Sequence, residues 1–447
     1  MRAIIASLIF GFGFFLNSFA TDSIYTDRDY VRIAEFFERD GACKKAAQYY
    51  KKALEVNPNN LSAIFFFAME NNKNGKYAKS LAYFQKLASE NVRSSIVFFN
   101  IGVLLHKRFG RVHEAINEYK KSIGLGFNFK DVHFLLRNAY LQIGDFQNAC
   151  RQEDILDTFS SKTTENLWDG SDLRGKTVLL RNDKGIGDLF MWLRYVRDFK
   201  QQGAYVVVQA RKSLFPLLSQ CGYIDKLLPQ NVRCAGIDFQ IPVSKAQYLL
   251  NKSIESFYTE IPYMYAHSKL VKHWAKKLAG DTSFKIGICW DPCSSYVSAK
   301  TGSPVKNERA LPLCFFEPLS RIKGVRLYSL QQVNGTEQIK DASSDFQLHM
   351  FDENFDKTYG SFSDTAAVMK NLDLIITVDT SIAHLAGALG VPVWVVLPFY
   401  SAWRWLLKRP DTPWYPTMRL FRQDSPHDWE SAMEKVYDEL VKIVSKG

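Results

Sequence analysis

Two short stretches of the sequence combine chemically useful side chains with the turns that would position them. The first, "LRNDKGIGDLFMWLRYV", is a β-like run, a turn containing Gly185 and Gly187, then Asp188 and a helical pattern. Glycine-rich turns between a strand and a helix often hold phosphate, because their backbone N–H groups can face an anion. A single Gly-x-Gly pair leaves three interpretations open: a nucleotide site, a reactive carboxylate at Asp188, or a tight strand-to-helix connection.

The second stretch, "LDLIITVDTSIAHLAGALGVPVWVVLP", covers residues 372–398. Its apolar run, 374–378, predicts a parallel strand buried on both faces, and a small-residue helix follows to Leu389 with Gly390 as its C-cap. Ligands in open α/β sheets bind beyond the carboxyl ends of the strands, where a helix N-terminus offers free N–H groups. Capping of that helix by Asp379 or Ser381 is an alternative that is compatible with ligand binding. The predicted ligand-facing residues are Asp379, Thr380, Ser381 and His384.

The elements that must position these residues alternate between strands and helices after residue 160. Such alternation predicts parallel sheets with crossover helices. The strands form two blocks, which predict two Rossmann-like domains facing each other, and a final helix is predicted from Trp429 to Val444. The predicted elements of the first block are Thr177–Arg181, a helix from Asp188 to about Gln201, Tyr205–Gln209 and Phe239–Pro242. The predicted strands of the second are Lys285–Trp290, Val325–Leu330, Gln347–Phe351, Leu372–Val378, Val391–Leu397 and Met418–Phe421.

The region before residue 160 repeats itself. In "GACKKAAQYYKKALEVNPNN", the residues Gly41, Ala46, Tyr50, Ala53 and Pro58 have the spacing of a tetratricopeptide repeat. The pattern returns about every 34 residues. Stacked repeats form a concave surface suited to an extended partner, so a protein or glycan partner is expected here. The predicted repeats are 27–60, 61–94, 95–129 and 130–160.

Composition limits the classes of function. The chain has 447 residues, of which 47% are hydrophobic and 23% charged, so it can bury a sizeable core. Its formal net charge of +11 favours anionic partners. No run of Lys and Arg forms a basic tail, so nucleic acid is not an expected partner. The seven cysteines have no zinc-site spacing, and the oligomeric state cannot be read from the sequence.

The first twenty residues, "MRAIIASLIFGFGFFLNSFA", have the layout of a secretory signal peptide. Arg2 precedes an apolar run that ends in a small-x-small pattern at Ala20. An uncleaved membrane anchor and a wrongly assigned start are the alternatives, and a membrane contact is expected only through this segment. This segment therefore predicts export or membrane anchoring.

These motifs together resemble a known family. The form D-T-x-x-x-H-L-A-x-A-L-G after the strand, and G-x-G-D in the first stretch, are similar to motifs of the ADP-heptose:lipopolysaccharide heptosyltransferase-like (family 9-like) glycosyltransferases. The resemblance covers about 166–445 and is strongest to bacterial proteins with tetratricopeptide repeats before such a domain. Further matching segments are "KIGICW", "RALPL", "LYSLQ", "SDTAAVM" and "WRWLLKRPDTPWYPTMRLFRQ".

The resemblance implies a GT-B fold: two Rossmann-like domains with the active cleft between them, and a last helix that crosses back to the N-terminal one. It implies metal-independent transfer, with no cofactor besides the nucleotide-diphosphate sugar as co-substrate. Asp188 occupies the family's general-base position, and Gly185 and Gly187 give the backbone room. Asp364 or Thr365 is expected to cap the helix that they begin, with a donor contact as the alternative. Implied donor and phosphate ligands include Arg309, Lys306 and Gln331. Trp403, Arg404 and Trp405 are candidates for stacking on a base or sugar. The chemistry that the resemblance implies belongs on the cytoplasmic side, which conflicts with export by the first twenty residues.

The predicted function is therefore a metal-independent, inverting glycosyltransferase whose repeats select a protein or glycan acceptor. The alternative is a non-catalytic repeat scaffold with a transferase-like domain that binds a sugar nucleotide. The donor sugar, its base and the acceptor cannot be read from these residues. The predicted divisions are a signal or anchor at 1–20, repeats at 27–160, a linker at 161–175, Rossmann-like domains at 176–280 and 284–425, and a C-terminal helix within 427–447.

Overall fold

The repeat region consists of paired helices. The structure, a computed structural model, describes residues 25–90, 94–159, 166–250, 261–292 and 308–445. Within the described parts of 25–159, eight helices follow one another in four successive pairs, and the connection within each pair contains a glycine with positive φ: Gly41, Gly75, Gly110 and Gly144. Glycine adopts this left-handed conformation without the strain of a Cβ. The helices are α1 Asp27–Arg39, α2 Cys43–Val56, α3 Leu61–Lys73, α4 Tyr77–Ser89, α5 Ser95–Lys107, α6 Val112–Gly124, α7 Lys130–Gln142 and α8 Phe146–Thr158.

Small buried residues let the helices of a hairpin cross closely. In the first hairpin Ala34, Ala46 and Ala53 are completely buried. Tyr50 packs in the same cluster, and its hydroxyl donates a hydrogen bond of 3.0 Å to the Glu38 carboxylate. The repeat pattern read from the sequence is therefore the pattern of core positions.

The chain divides into two compact units at a different place from the predicted linker. One unit contains Met1–Leu104 and Lys120–Phe127, and the other contains Leu105–Tyr119 and Asn128–Gly447. The last helical hairpin thus belongs to the same unit as both sheets. The domain ranges inferred from the sequence stay predictions.

The first sheet has four parallel strands in the order β3-β2-β1-β4. The strand β3 was not predicted, because a four-residue edge strand that ends in proline carries little pattern. The helix after β1 begins at Ile186, two residues before the predicted start. Elements of this sheet are β1 Thr177–Arg181, α9 Ile186–Trp192, a 3₁₀ turn Leu193–Tyr195, α10 Val196–Gln201, β2 Tyr205–Ala210, α11 Phe215–Leu218, β3 Lys226–Pro229, β4 Phe239–Pro242 and α12 Ala246–Leu249.

The second sheet has six parallel strands in the order β10-β9-β8-β5-β6-β7. Counted from its own first strand, this is the Rossmann order 3-2-1-4-5-6, with a topological switch point between β5 and β8. Every residue of β8 and β9 is buried, as expected for strands covered on both faces. Its elements are α13 Ser268–Leu278, β5 Phe284–Cys289, α14 Glu317–Ser320, β6 Val325–Ser329, β7 Leu348–His349, α15 Ser363–Met369, β8 Leu374–Val378, α16 Ser381–Leu389, β9 Val393–Leu397, β10 Met418–Arg422 and α17 Trp429–Val444.

The fold class predicted from the sequence is confirmed: a region of helical repeats precedes two parallel-sheet, Rossmann-like domains. One expected detail is wrong. The helix α17 packs its buried residues, including Trp429, Met433 and Val436, into the core of the six-stranded sheet, so it does not cross back to the N-terminal Rossmann-like domain. Across the described ranges, helices that combine enough length with enough apolar character to cross a bilayer are absent. The signal-like segment 1–20 lies outside the described residues.

Candidate active site

A cavity of about 680 Å³ lies between the two Rossmann-like domains. On the C-terminal side it opens at the carboxyl ends of β5, β6 and β8, where an open α/β sheet binds its ligand. On the N-terminal side it is closed by the start of α9. The predicted site residues that line this cavity are Gly185, Gly187, Asp188, Arg309, Gln331, Asp379, Thr380, Ser381 and His384. Lys306 lies outside the described residues.

The helix α16 begins at this cavity with a side-chain cap from Thr380. The Thr380 hydroxyl oxygen accepts a hydrogen bond of 3.1 Å from the backbone N–H of Ile382. The helix ends at Gly390, which has φ 71°, so the predicted C-cap is confirmed. The alternative that Asp379 or Ser381 caps the helix is wrong, and the carboxylate of Asp379 is therefore not used for capping.

Asp379 is a buried carboxylate in the cavity, and one of its oxygens accepts no hydrogen bond from the described residues. Its side chain is only 4% exposed, and among the described residues its Oδ2 atom has no hydrogen-bond partner. The nearest cation is Arg309, whose Nη1 lies 3.6 Å from Oδ2 and 3.4 Å from the backbone oxygen of the same residue. A buried acceptor without a donor is costly, so this atom is suited to a hydroxyl donor of a ligand.

Asp188, on the opposite wall, has its oxygens occupied. Its Oδ2 accepts a hydrogen bond of 3.3 Å from the backbone N–H of Gly185, and its Oδ1 forms an ion pair with Arg404. Burial alone would raise the pKa of Asp188, but the charge and hydrogen bond of Arg404 outweigh it, and the pKa is lowered. A carboxylate held in this way is a poor proton acceptor while the pair persists.

His384 lies between these two carboxylates as a neutral imidazole. Its Nδ1 is 3.0 Å from the hydroxyl of Tyr415, and its ring stacks on Trp405 with centroids 5.3 Å apart. Burial lowers the pKa of His384 to about 4, and the charge of Arg404 acts in the same direction. At neutral pH this residue can exchange hydrogen bonds with a ligand without adding charge to the cavity.

The two glycines of the first stretch have different roles. A Cβ at Gly187 would lie 3.0 Å from His384 Cδ2 and 3.3 Å from Ser381 Cα, so glycine is what allows α9 to approach the start of α16. At Gly185, the N-cap position, a Cβ would meet only the Asp188 carboxylate at an ordinary 3.6 Å. The close packing of α9 against the start of α16, rather than phosphate binding, explains why residue 187 is a glycine.

Gln331 lines the cavity, but backbone groups occupy its amide. Its Oε1 accepts hydrogen bonds from the N–H groups of Trp290 and Asp291, and its Nε2 donates to the carbonyl oxygens of Asp291 and Asn334. The side chain thus ties the ends of β5 and β6 together. A direct donor contact stays a prediction, and the observed role is to position the strand ends.

The prediction that Trp405 stacks on a base or sugar is wrong. Its side chain is completely buried and covers His384. Trp403 is half-buried and stacks on Trp192, with centroids 6.0 Å apart, outside the residues that line the cavity. Between them, Arg404 is the member of this segment that reaches the cavity.

The sequence alone did not identify the roles of Arg404, Arg211 and Asp356, all of which line the cavity. Asp356 has φ 58°, and burial raises the pKa of its carboxyl to about 6. Its carboxylate accepts hydrogen bonds from the N–H and hydroxyl of Thr365, so Asp356 satisfies the first turn of α15.

From the sequence, Asp364 or Thr365 was predicted to cap α15. Instead, the Asp364 carboxylate accepts a hydrogen bond of 2.8 Å from Trp274 Nε1 and one of 3.0 Å from the Asp356 N–H. A positive φ at an aspartate cannot be read from an unaligned sequence, so no local signal marked Asp356. Arg404 was predicted only as a stacking residue together with its two tryptophan neighbours, and its ion pair with Asp188 was not predicted.

The cavity combines charges of both signs. Cationic side chains reach it from both domains, and carboxylates lie beside them, so a ligand with an anionic part and several hydroxyls would match it. Over the ranges that the structure describes, no group of three or more His, Cys, Asp or Glu side chains has the geometry to hold a metal ion. The cations are Arg211, Arg309, Lys357 and Arg404, and the carboxylates are Asp188, Asp291, Asp356 and Asp379.

Comparisons with known proteins agree with the repeat assignment. Residues 30–60 match the family model described as tetratricopeptide repeat. Protein FlbA of Caulobacter vibrioides is 23% identical over 288 residues, which are 60% of this chain and 47% of FlbA, so the chain spans about half the length of this curated relative. The tetratricopeptide pattern is thus independently matched in the first repeat.

Two solved structures illustrate the likeness of the separate regions. A glycosyl transferase family 9 structure from Veillonella parvula has 11% identity, covers 62% of this chain and 99% of its own, and has a TM-score of 0.44. The structure titled MamA AMB-1 has 21% identity, covers 32% of this chain and 79% of its own, and has a TM-score of 0.29. Function therefore has to be inferred from the geometry of the cavity.

Proposed function

We propose that this protein transfers a glycosyl group from a nucleotide-diphosphate sugar to a protein or glycan acceptor. The observation that carries the proposal is the composition of the cavity at the switch point. There, the start of α16 and the cations Arg309 and Arg404 converge with Asp379 Oδ2, which has no hydrogen-bond partner among the described residues. The helix start and the cations suit a diphosphate, and the carboxylate suits a hydroxyl of the ribose or sugar.

The proposed reaction is a single inverting displacement. The acceptor oxygen attacks the anomeric carbon, the bond from that carbon to the diphosphate oxygen breaks, and the acceptor proton passes to Asp188. The leaving diphosphate carries the electron pair and is stabilised by Arg309, Arg404 and the α16 N-terminus. In this proposal the chain's own cations and N–H groups supply the stabilisation, and no resident cofactor is required.

The repeats are proposed to select the acceptor. Helical repeats present extended surfaces, and the last hairpin lies in the same compact unit as the cavity. In that unit, Gln142 of α7 donates a hydrogen bond of 2.8 Å to the carbonyl oxygen of Ser401, at the start of the segment that carries Arg404. The last helical hairpin and the segment that carries Arg404 are thereby connected by a hydrogen bond.

The experiment is a screen of nucleoside-diphosphate sugars for release of the nucleoside diphosphate, followed by isothermal titration of the nucleotides that respond. Wild type and Asp379→Asn are compared with Asp373→Asn, a matched control at the other end of the same strand. Asp373 accepts a backbone hydrogen bond of 2.7 Å from Lys285 and does not line the cavity. Release by wild type and by Asp373→Asn, with a large loss in Asp379→Asn, would support the proposal.

The alternative function is a scaffold that binds a sugar nucleotide without transferring the sugar. The observation that favours it is the ion pair between Asp188 and Arg404, because it lowers the pKa of the proposed base. Nucleotide binding without any sugar release over the whole donor panel would identify the scaffold. Turnover that is unchanged in Asp188→Ala would exclude Asp188 as the base.

A further inference from the structure

The ion pair between Asp188 and Arg404 joins the two walls of the cavity. Asp188 belongs to α9, next to the first sheet, and Arg404 belongs to the 3₁₀ turn Trp403–Trp405, which follows β9 of the second sheet. Both side chains are more than four-fifths buried. The pair therefore neutralises the proposed base with a cation that comes from the donor-binding domain.

The backbone that carries Arg404 is held firmly on several sides. Trp403 stacks on Trp192, Trp405 stacks on His384, and Arg422 Nη2 donates a hydrogen bond of 2.5 Å to the Trp405 carbonyl oxygen. The Arg404 carbonyl oxygen also accepts a hydrogen bond of 2.6 Å from Trp414 Nε1. With the backbone fixed, the guanidinium is the part of Arg404 that can change its partner.

The guanidinium has capacity that Asp188 does not use. Its Nε is buried and has no hydrogen-bond partner among the described residues. The charged and titratable groups around the pair are Asp379 at the end of β8, His384 on α16, and Tyr415 and Arg194 behind them. Of these, the Asp379 carboxylate acts with Asp188 to stabilise the charge of Arg404.

A diphosphate in the cavity would compete directly with Asp188. Arginine can bind phosphate with two parallel N–H donors, whereas Arg404 holds Asp188 through a single nitrogen, Nη2, on a single oxygen, Oδ1. The diphosphate carries two charges against one for the carboxylate. Departure of the guanidinium would also remove the interaction that keeps the carboxylate a weak base.

We propose that Arg404 exchanges the carboxylate of Asp188 for the diphosphate of the donor, so that Asp188 becomes a competent base only once the donor is bound. This inference rests on the proposed function and adds to it a substrate-operated control of the base. No covalent bond changes in the exchange. It requires the donor to bind before the acceptor is activated, and it keeps the free enzyme from deprotonating an acceptor unproductively.

The test is isothermal titration of ADP, GDP, UDP, CDP and dTDP against wild type, Asp188→Asn, Arg404→Gln and the double variant. For the nucleotide that binds wild type, Asp188→Asn should bind at least threefold more tightly, because Arg404 is released from its competitor. Arg404→Gln and the double variant should bind at least tenfold more weakly. Arg419→Gln, which loses an exposed ion pair with Glu439, is the matched arginine control and should bind as wild type.

The double variant keeps the test decisive if Asp188→Asn fails to fold, because it leaves no unpaired charge in the cavity. If Arg404 only neutralises Asp188, the double variant will bind nucleotide as tightly as wild type, and that result overturns the exchange alone. Weaker or unchanged binding by folded Asp188→Asn also overturns it. If wild type binds none of the five nucleotides, the donor site itself is contradicted.

Discussion

Asp188 and Asp379 occupy comparable positions on opposite walls of one cavity, yet their surroundings differ. Each follows a parallel strand, lies at the start of a helix and is largely buried. Asp188 is paired with Arg404 and accepts a backbone hydrogen bond, whereas Asp379 Oδ2 has no hydrogen-bond partner among the described residues. Both carboxylates lie beside an arginine, but one has its oxygens occupied by hydrogen bonds and the other keeps an oxygen open to a ligand.

The largest expected effect of breaking this difference is on donor affinity. Asp379→Asn should weaken nucleotide-sugar binding by roughly 10- to 150-fold, because a hydrogen bond to a charged group is worth about 1.5–3 kcal/mol. Isothermal titration of the responding donor measures it. Equal affinity in Asp379→Asn and in the Asp373→Asn control would mean that Asp379 does not contact the donor.

The next effect is on stability, through the contact between α9 and the start of α16. Gly187→Ala should lower the free energy of unfolding by about 1–3 kcal/mol, since the new methyl group would press on His384 and on the Ser381 backbone. The neighbours cannot yield easily, because His384 is held by Trp405 and Tyr415. Urea unfolding followed by tryptophan fluorescence measures the change.

Gly185→Ala is the matched control for this substitution. Its methyl group would have only an ordinary contact of 3.6 Å with the Asp188 carboxylate, so no steric cost is expected. Only the weaker preference of alanine for the N-cap position remains, which costs on the order of 0.5–1 kcal/mol. If both variants lose the same stability, close approach of α9 to α16 is not the reason for Gly187.

The last effect is a pH dependence of stability that arises from His384. Its folded pKa of about 4 lies below the unfolded value near 6.5, so between these pH values the unfolded chain binds one more proton. Stability should therefore fall as pH falls from about 6.5 to 4, by about 1.4 kcal/mol per pH unit from this residue. His384→Gln should remove that part of the slope in urea unfolding.

His106 offers the control for the pH experiment. Burial also lowers the pKa of His106 to about 4, but this residue contacts Tyr119 and Gln142 and does not line the donor cavity. His106→Gln should reduce the slope by a similar amount and leave donor affinity unchanged. An unaltered slope in His384→Gln would show that His384 is not neutral in the folded protein.

Much of the fold follows from local patterns. The strand 374–378 and the helix that ends at Leu389 were predicted at nearly their observed bounds, because an apolar run and a glycine C-cap are local features. The helix 429–444 was also predicted with its observed ends, but its packing partner was not. Amphipathic spacing shows that a helix has a buried face without showing which sheet receives it.

Parts of the cavity escaped prediction for the same reason. Trp405 has the composition of a stacking residue, and only burial beside His384 shows that its ring is already covered. Gln331 ends a strand as expected, yet its amide is taken up by the neighbouring strand end. Exposure and hydrogen-bond occupancy depend on distant residues, so neither can be read along the chain.

The amino-acid sequence by itself determined the repeats, the two series of parallel strands and the chemical groups at the strand ends, because these depend on periodicity and on neighbours within a few residues. Only the tertiary structure decided which groups are free to act. Arg404 lies 216 residues from Asp188 in the chain, and no periodicity links residues so far apart. Their pairing arises where two separately formed sheets meet, and it gives Asp188 a counter-charge that its own neighbourhood in the sequence does not reveal.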